Sequence, residues 1–385
     1  MRNLFRLFFV SLLVCVALFG CTSDTDPVNT DIYSETESDA IVTDEETESE
    51  SSTQTEKETE KETETEPEKV ELDLKKKMNY SLENGVVLRD IVIDSGKGGD
   101  PIEIIQLTDV HINYCNEEDL TDPVLKDEYK DRWLNHFGVK AKLERCLSYA
   151  READQLVITG DLFDYLSLGI LEKAKEYVFD PFPNVLVAPG NHDPMEKTQQ
   201  NRTLAERLEV LKEAWPHDIY YESRVLGEKV MLIVMDNATM VSEVDGVKIG
   251  SFHESQVPLL EADLTLAREK GYSVLLFYHV PISTGNPEDR NVKALLVGDS
   301  KITVINFFDK DKCIGRMSSG ASKKVYDLIV NNADLIKGTF CGHHHSDFYT
   351  EIYGRGIDGS IVTIPQYVVT GVPYYNGNVM RITVK

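Results

Sequence analysis

The feature that most limits what this chain can fold into is a series of short apolar runs rich in Val and Ile. They are Val86–Ile93, Ile102–Leu107, Gln155–Thr159, Val185–Ala188, Val230–Met235, Val274–Phe277, Asp334–Phe340, Ile361–Ile364 and Val379–Val384. Runs of this length and composition read as strands, and several are apolar without alternation, which marks strands buried on both faces. Helical patterns lie between some of them, at Lys140–Arg151, Leu168–Tyr177, Leu204–Ala214, Gln256–Glu269 and Ser322–Asn331. Strand and helix alternate early and strands crowd the end, so the expected class is α/β, a mostly parallel sheet packed on a second sheet with helices outside. No internal repeat interrupts this order.

The start of the chain reads differently. Arg2 and Arg6 precede the apolar run Leu7–Phe19 and then Gly20-Cys21, the order of an export signal and too short for a comfortable membrane span. Leu18-Phe19-Gly20-Cys21 resembles a bacterial lipoprotein lipobox, with Phe19 bulkier than usual there. That resemblance implies acylation of Cys21 and a protein lipid-anchored outside the cytoplasm on a bacterial membrane; the plainer reading is a cleaved signal with an incidental cysteine. From Thr22 to Lys69 stand 18 acidic side chains against Lys57, Lys61 and Lys69, with almost no large apolar groups. Such a segment cannot bury enough surface to offset its ordering entropy, so it is expected to be a disordered, self-repelling tether. The division is therefore residues 1–20 as signal peptide, 21–69 as linker and 70–385 as one catalytic domain.

Formal net charge is −26 over 385 residues, and the part after the tether is acidic in its own right. Long polyanions are disfavoured partners for such a surface unless metal supplies positive charge, which makes nucleic acid a poor candidate ligand. The folded part contains Cys115, Cys146, Cys313 and Cys341. In an oxidising compartment these allow up to two disulfides in three pairings; four separate buried thiols fit equally, since the spacings match no zinc pattern.

Five motifs sit at or just after the ends of expected strands. They are Asp109-Val110-His111, Gly160-Asp161-Leu162-Phe163-Asp164, Gly190-Asn191-His192-Asp193, Tyr278-His279-Val280-Pro281 and Gly342-His343-His344-His345. Each alone is common, and a lone strand-end histidine is usually a satisfied polar residue. Loops beyond strand carboxyl ends can, however, converge on one crevice. Asp and His together supply hard oxygen and borderline nitrogen ligands for Mn, Fe or Zn, and two such ions about 3.5–4 Å apart can grip both the attacking and the leaving oxygen of a phosphoryl group. One carboxylate must bridge such a pair, and Asp161, behind a glycine, is the natural one.

The ordered set D-x-H, G-D-x-x-D, G-N-H-D, H-x-P and G-H-x-H, spanning Asp109 to His345, resembles the calcineurin-like metallophosphoesterase family. The resemblance implies a four-layer α-β-β-α sandwich. It further implies one metal on Asp109, His111 and His345, a second on Asn191, His279 and His343, and Asp161 bridging them. His192 would stabilise developing charge or protonate the leaving group, and the Asp164 carboxylate would orient His192 and raise its pKa. Asp193 reads as a structural partner of its loop. Asp164 stands where purple acid phosphatases of this superfamily carry an iron-binding tyrosine, so a purple Fe(III) site is not expected, and Tyr278 replaces a glycine common before the histidine. His344, His136, His217 and His253 are expected to lie outside the chemistry.

The implied reaction is hydrolysis of a small phosphoester, a monoester or a diester, by in-line attack of a metal-activated hydroxide without a covalent intermediate. No G-x-S-x-G elbow supports a serine nucleophile, and Cys341 belongs to the strand before the histidines. The rival readings are a silent surface binding protein that keeps the fold and a nuclease of the same superfamily; the complete ligand set argues against the first and the acidic surface against the second. Two polar excursions, Asn113–Phe137 and Ser283–Gly320 with a possible strand at Ile302–Phe307, follow metal-type histidines and are either walls of a substrate pocket or idle surface loops. The short run past the last motif speaks against the large C-terminal substrate domain of exported nucleotidases.

Overall fold

The computed structural model describes residues 78–131, 136–244, 247–282, 284 and 320–385. The export signal, the acidic tether, Cys313, the Ile302–Phe307 strand and most of the second excursion lie outside the described residues. In chain order the described part forms β1 (Asn79–Glu83), β2 (Val86–Ile93), β3 (Ile102–Leu107), α1 (Pro123–Asp131), α2 (His136–Ala150), β4 (Gln155–Thr159), α3 (Leu168–Ala174) and β5 (Leu186–Ala188). Then follow α4 (Leu204–Ala214), β6 (Tyr221–Leu226), β7 (Val230–Met235), β8 (Met240–Val244), β9 (Val247–Ser251), α5 (Gln256–Lys270) and β10 (Ser273–Phe277). The chain closes with α6 (Gly320–Asn331), β11 (Ile336–Cys341), β12 (Phe348–Arg355), β13 (Ile361–Val368) and β14 (Asn378–Val384).

Two sheets of six strands result, ordered β1-β2-β14-β3-β4-β5 and β12-β13-β11-β10-β7-β6, with β8 and β9 as a separate hairpin. In the first, β3, β4 and β5 run parallel; in the second, β13, β11, β10 and β7 do. Antiparallel neighbours close three of the four edges: β1 on β2, β12 on β13 and β6 on β7. The layers follow from which side chains each strand turns inward. Ile102 and Ile104 of β3, Val157 of β4 and Leu186 of β5 meet Leu232, Leu275, Phe277 and Phe340 between the sheets. The alternate residues Ile105, Leu107, Ile158 and Val187 pack outward with Leu143 and Leu147 of α2, Ile170 of α3 and Leu208 of α4. On the far side Met231, Ile233 and Leu276 pack with Leu260 and Leu264 of α5 and Val325 and Ile329 of α6. The α-β-β-α sandwich is thus the period of two in the strands expressed twice, since each central strand is apolar on both faces.

Arg89 is the large exception in this interior. Its side chain is 1 % exposed between the sheets, with Nε donating to Asp347 Oδ2 at 2.7 Å and a terminal nitrogen donating to Asn378 Oδ1 at 3.0 Å. Cys115, Cys146 and Cys341 are buried free thiols, so among the described residues the alternative of separate thiols is the one realised. No helix of the described residues is long and apolar enough to cross a membrane.

Candidate metal centre

All five motifs emerge at carboxyl ends of parallel strands, three from the first sheet (β3, β4, β5) and two from the second (β10, β11). The loops are zipped together before any ligand is considered. Asp109 N donates to Gly160 O, His111 N to Asp161 O and Gly342 N to His279 O, each at 2.9–3.0 Å. The backbone is strained where the side chains must converge: Asp109, His111, Asp161, His343 and His345 all have φ between 46° and 74°. Non-glycine residues rarely adopt this left-handed region, and such outliers gather at functional sites. Glycines allow the close approach. A Cβ on Gly190 would lie 2.1 Å from Asp161 Oδ1, and one on Gly342 would lie 2.2 Å from Asp109 Oδ2.

Two groups of ligating atoms form, and they meet on Asp161. In the first, His345 Nε2 lies 3.1 Å from Asp109 Oδ1 and 3.2 Å from His111 Nε2, and His111 Nε2 lies 3.9 Å from Asp161 Oδ2. In the second, His279 Nε2 lies 3.3 Å from Asp161 Oδ2, 3.2 Å from Asn191 Oδ1 and 3.3 Å from His343 Nδ1. The structure therefore brings all seven residues expected as ligands into one cleft: the ligating atoms of Asp109, His111, Asp161 and His345 all lie within 4.8 Å of one another, and His279 reaches Asn191, His343 and Asp161 Oδ2 through pairwise approaches of 3.2–3.3 Å.

The donor set fits metal. Imidazole nitrogens approaching each other at 3.2–3.3 Å match the spacing of ligands around a common ion, since tetrahedral bonds of about 2.1 Å separate donor atoms by roughly 3.4 Å. Second contacts fix the ring faces: His279 Nδ1 must donate to Thr159 O at 2.9 Å, because a carbonyl only accepts, and this leaves Nε2 free to ligate. Thr108 Oγ1 donates to Asp109 Oδ2 at 2.7 Å, and the amide of His343 donates to the same carboxylate. Burial opposes charge on His279, yet the carboxylates of Asp161 and Asp109 push its pKa up to about 10. The two carboxylates thus favour positive charge on the His279 side of the cleft, while burial and His279 hold the pKa of the neighbouring His343 down to about 3.

His192 and Asp164 are arranged differently from the expectation. His192 Nδ1 donates to the backbone carbonyl of Asp164 at 3.0 Å, whereas the Asp164 carboxylate is 3.8 Å from that nitrogen and 3.5 Å from His111 Nδ1. The peptide of Asp164 orients His192, and its carboxylate stands beside a ligand. Burial also holds the His192 pKa below its ordinary value, against the opposing pull of Asp161, so the expected rise does not occur. The ring remains a quarter exposed, and its amide donates to Asp161 Oδ1 at 2.8 Å. Asp193 plays the structural part expected of it: its carboxylate accepts from Gly190 N and Phe163 N at 2.6 and 2.8 Å, and burial together with Asp161 pushes its pKa up to about 7.

His217 accepts from Val187 N and His253 stacks on Tyr220, both away from the ligating atoms, whereas His344 packs on Phe348 with ring centroids 5.5 Å apart and also meets the ring of His343 edge-on at 5.3 Å, so it borders the cluster. For His136 only the backbone is described, as the first residue of α2. Several contributors escaped the sequence reading. Tyr374 places its hydroxyl 2.5 Å from His345 Nδ1. Asn237 brackets Val280 through Nδ2 to Val280 O (2.6 Å) and Oδ1 from Val280 N (3.0 Å), and Gln366 does the same for Ile282, so the segment after His279 is clamped at two alternate residues. Lone amides and a turn tyrosine have no motif; their only signal was a polar residue inside or next to an apolar strand. The first excursion folds as a 3-10 turn at Asp119–Thr121 and α1, and lines a cavity of about 530 Å³ with Leu166–Leu168 and Thr198–Gln200, the chain just past Asp164 and His192.

A two-sheet sandwich whose strand ends gather two sets of Asp, Asn and His ligands around one shared carboxylate defines a metal-dependent phosphoester hydrolase. The chain belongs to the calcineurin-like phosphoesterase family, whose model matches residues 102–347. It is 24 % identical over 246 residues to a 3′,5′-cyclic adenosine monophosphate phosphodiesterase CpdA of Vibrio vulnificus, covering 64 % of this chain and 70 % of that one. It is 26 % identical over 187 residues to the enzyme of that name from Escherichia coli, covering 48 % of this chain and 57 % of that one. Among solved structures, a dimetal phosphatase from Danio rerio is 17 % identical, with 71 % of this chain and 88 % of that chain covered at a TM-score of 0.41.

Proposed function

We propose that this protein hydrolyses a small phosphoester with two metal ions, of Mn, Fe or Zn, held between the sheets, and that it works at the outer face of a bacterial membrane. The observation that carries the catalytic part is the meeting of two ligand sets on Asp161 Oδ2, 3.3 Å from His279 Nε2 and 3.9 Å from His111 Nε2. When bound, such ions supply Lewis acidity toward the phosphoryl oxygens and an acidified water for attack. The protein's own part is placement. Asp109, His111 and His345 would hold one ion, Asn191, His279 and His343 the other, and Asp161 both. His192 has Nε2 left for the substrate, because Nδ1 is committed to Asp164 O. To donate from Nε2 the ring must therefore carry a second proton, which gives His192 the part of acid for the leaving alcohol once an anionic substrate sits beside it.

The named activity of the curated relatives supports a diester as the first substrate to try. Hydrolysis of para-nitrophenyl phosphate, bis-para-nitrophenyl phosphate and 3′,5′-cyclic AMP should be followed after metal stripping and after return of Mn, Zn or Fe. Turnover is expected only with metal, and the diester to monoester ratio assigns the substrate class. A folded protein that takes up two ions and turns over none of these esters would favour the rival reading, a surface binding protein.

The membrane address rests on Arg2, Arg6, the Leu7–Phe19 run and Cys21, followed by the acidic spacer. The full-length protein expressed in a bacterial host is expected to incorporate labelled palmitate and to fractionate with membranes, and Cys21→Ser should abolish the label. Unlabelled protein in the cytoplasmic fraction would remove this part of the reading.

A further inference from the structure

His345 can ligate through Nε2 only if its proton resides on Nδ1, and the group facing Nδ1 is the phenol oxygen of Tyr374 at 2.5 Å, with ring centroids 5.1 Å apart. The other Nε2 ligands meet different partners, a backbone carbonyl for His279 and the Asp164 carboxylate for His111. Tyr374 is itself tightly held. It lies in the turn before β14, where Asn378 Nδ2 donates both to Tyr374 O at 2.7 Å and to Gly371 O at 2.8 Å. Asn378 Oδ1 accepts from Arg89, and Arg89 donates to Asp347, whose other oxygen accepts from the amide and hydroxyl of Thr370 at 2.8 and 2.9 Å. Asp347 lies two residues beyond His345, so the contacts close a ring that runs from His345 through Tyr374, Asn378, Arg89 and Asp347 back to the His345 loop.

A buried Arg–Asp pair is a poor source of net stability, because desolvation offsets most of its attraction. Here it joins the His345 loop after β11 to β2 and β14 of the opposite sheet, which fixes the distance between the histidine and its phenol. We propose that Tyr374 is a positioning residue of the metal centre: its hydroxyl oxygen accepts the Nδ1 proton of His345, fixes the ligating tautomer and ring angle, and is itself held in register by the Asn378–Arg89–Asp347 chain. The proposal rests on the metal-centre reading above. Outer contacts of this kind are worth about 10- to 100-fold in metal affinity.

The test is Tyr374→Phe, which keeps the ring and deletes one oxygen. Titration of the metal-free variant and parent with Mn²⁺ by calorimetry should show one of the two binding events weakened by about 10- to 100-fold, with the thermal midpoint of the metal-free protein unchanged. Affinity within about twofold of the parent would overturn the proposal. So would a weakened affinity that comes with a lowered midpoint of the metal-free variant, because Tyr374 would then be a packing residue. A parent that takes up no Mn²⁺ would instead overturn the metal-centre reading, and this proposal with it.

Discussion

Asp161→Asn is expected to remove metal and activity together. The substitution keeps the shape of the side chain, and the new amide oxygen can go on accepting from the amide of His192, as Asp161 Oδ1 does at 2.8 Å. The new amide nitrogen would then face His279 Nε2 and His111 Nε2, where the carboxylate oxygen now lies at 3.3 and 3.9 Å. An amide hydrogen in that place caps nitrogen lone pairs that would otherwise ligate, and the negative charge that holds two cations close together is lost. The environment reports how much that charge matters, since it and Asp109 raise His279 to about 10 against full burial. Metal content by elemental analysis should fall below one ion per chain, and turnover of the best substrate by roughly 10³-fold or more, the scale of losing a principal electrostatic element of a site. A variant with two ions and only a few-fold loss would refute Asp161 as the bridge.

Most of the layer architecture was legible because it is written in apolar period. The runs at Val86–Ile93, Ile102–Leu107, Gln155–Thr159 and Val230–Met235 coincide with β2, β3, β4 and β7. Strands β3, β4 and β7 are covered on both faces, so most of their residues must be apolar, whereas β2 is legible from Val86–Leu88 and Ile91–Ile93 around Arg89 and Asp90, with Val92 exposed. Of the strands that escaped, β1, β6 and β12 are at sheet edges, where residues such as Glu83, Arg224 and Arg355 are tolerated and the Val/Ile signal fades, and β8 and β9 form a hairpin apart from both six-stranded sheets. The helix at Pro123–Asp131 escaped for a related reason: its sequence PVLKDEYKD buries little beyond Leu125, leaving too few apolar positions to set a period. The ligand set was legible through five motifs whose spacing within each loop is short. Tyr374, Asn237 and Gln366 were not, since each acts across the fold on a loop remote in sequence, and only the packing of the sheets brings them there.

The placement of the Asp164 carboxylate also bears on how the cleft divides its labour. A carboxylate bonded to His192 would have favoured that ring as a cation more strongly, whereas the Asp164 carbonyl orients it and raises its pKa by less than burial lowers it. The carboxylate instead lies near the buried His111, whose pKa burial would lower and the Asp164 contact raises. Asp164 thus belongs with Thr159 O and Tyr374 among the groups that face ligand histidines from behind, and His192 is left to respond to the substrate.

His192→Asn is accordingly expected to separate metal binding from turnover. The backbone amide that braces Asp161 Oδ1 survives the change, and no ligand is removed, so metal content and the stability of the loaded protein should match the parent. What disappears is the ring able to pass a proton to the departing oxygen. Loss of a positioned general acid costs about 10²–10⁴-fold, and the cost depends on how badly the leaving group needs the proton. A para-nitrophenolate leaves without help, so its ester should lose rate only by the part that His192 contributes as a charge stabiliser. An alkyl phosphoester, whose alkoxide leaves poorly, should lose the full amount. The measurement is kcat for an aryl and an alkyl ester in parent and variant at equal metal content. A loss that is the same for both leaving groups would assign His192 to stabilising phosphoryl charge alone, and a loss of bound metal would make it part of the ligand frame; either result would remove it from the role of acid.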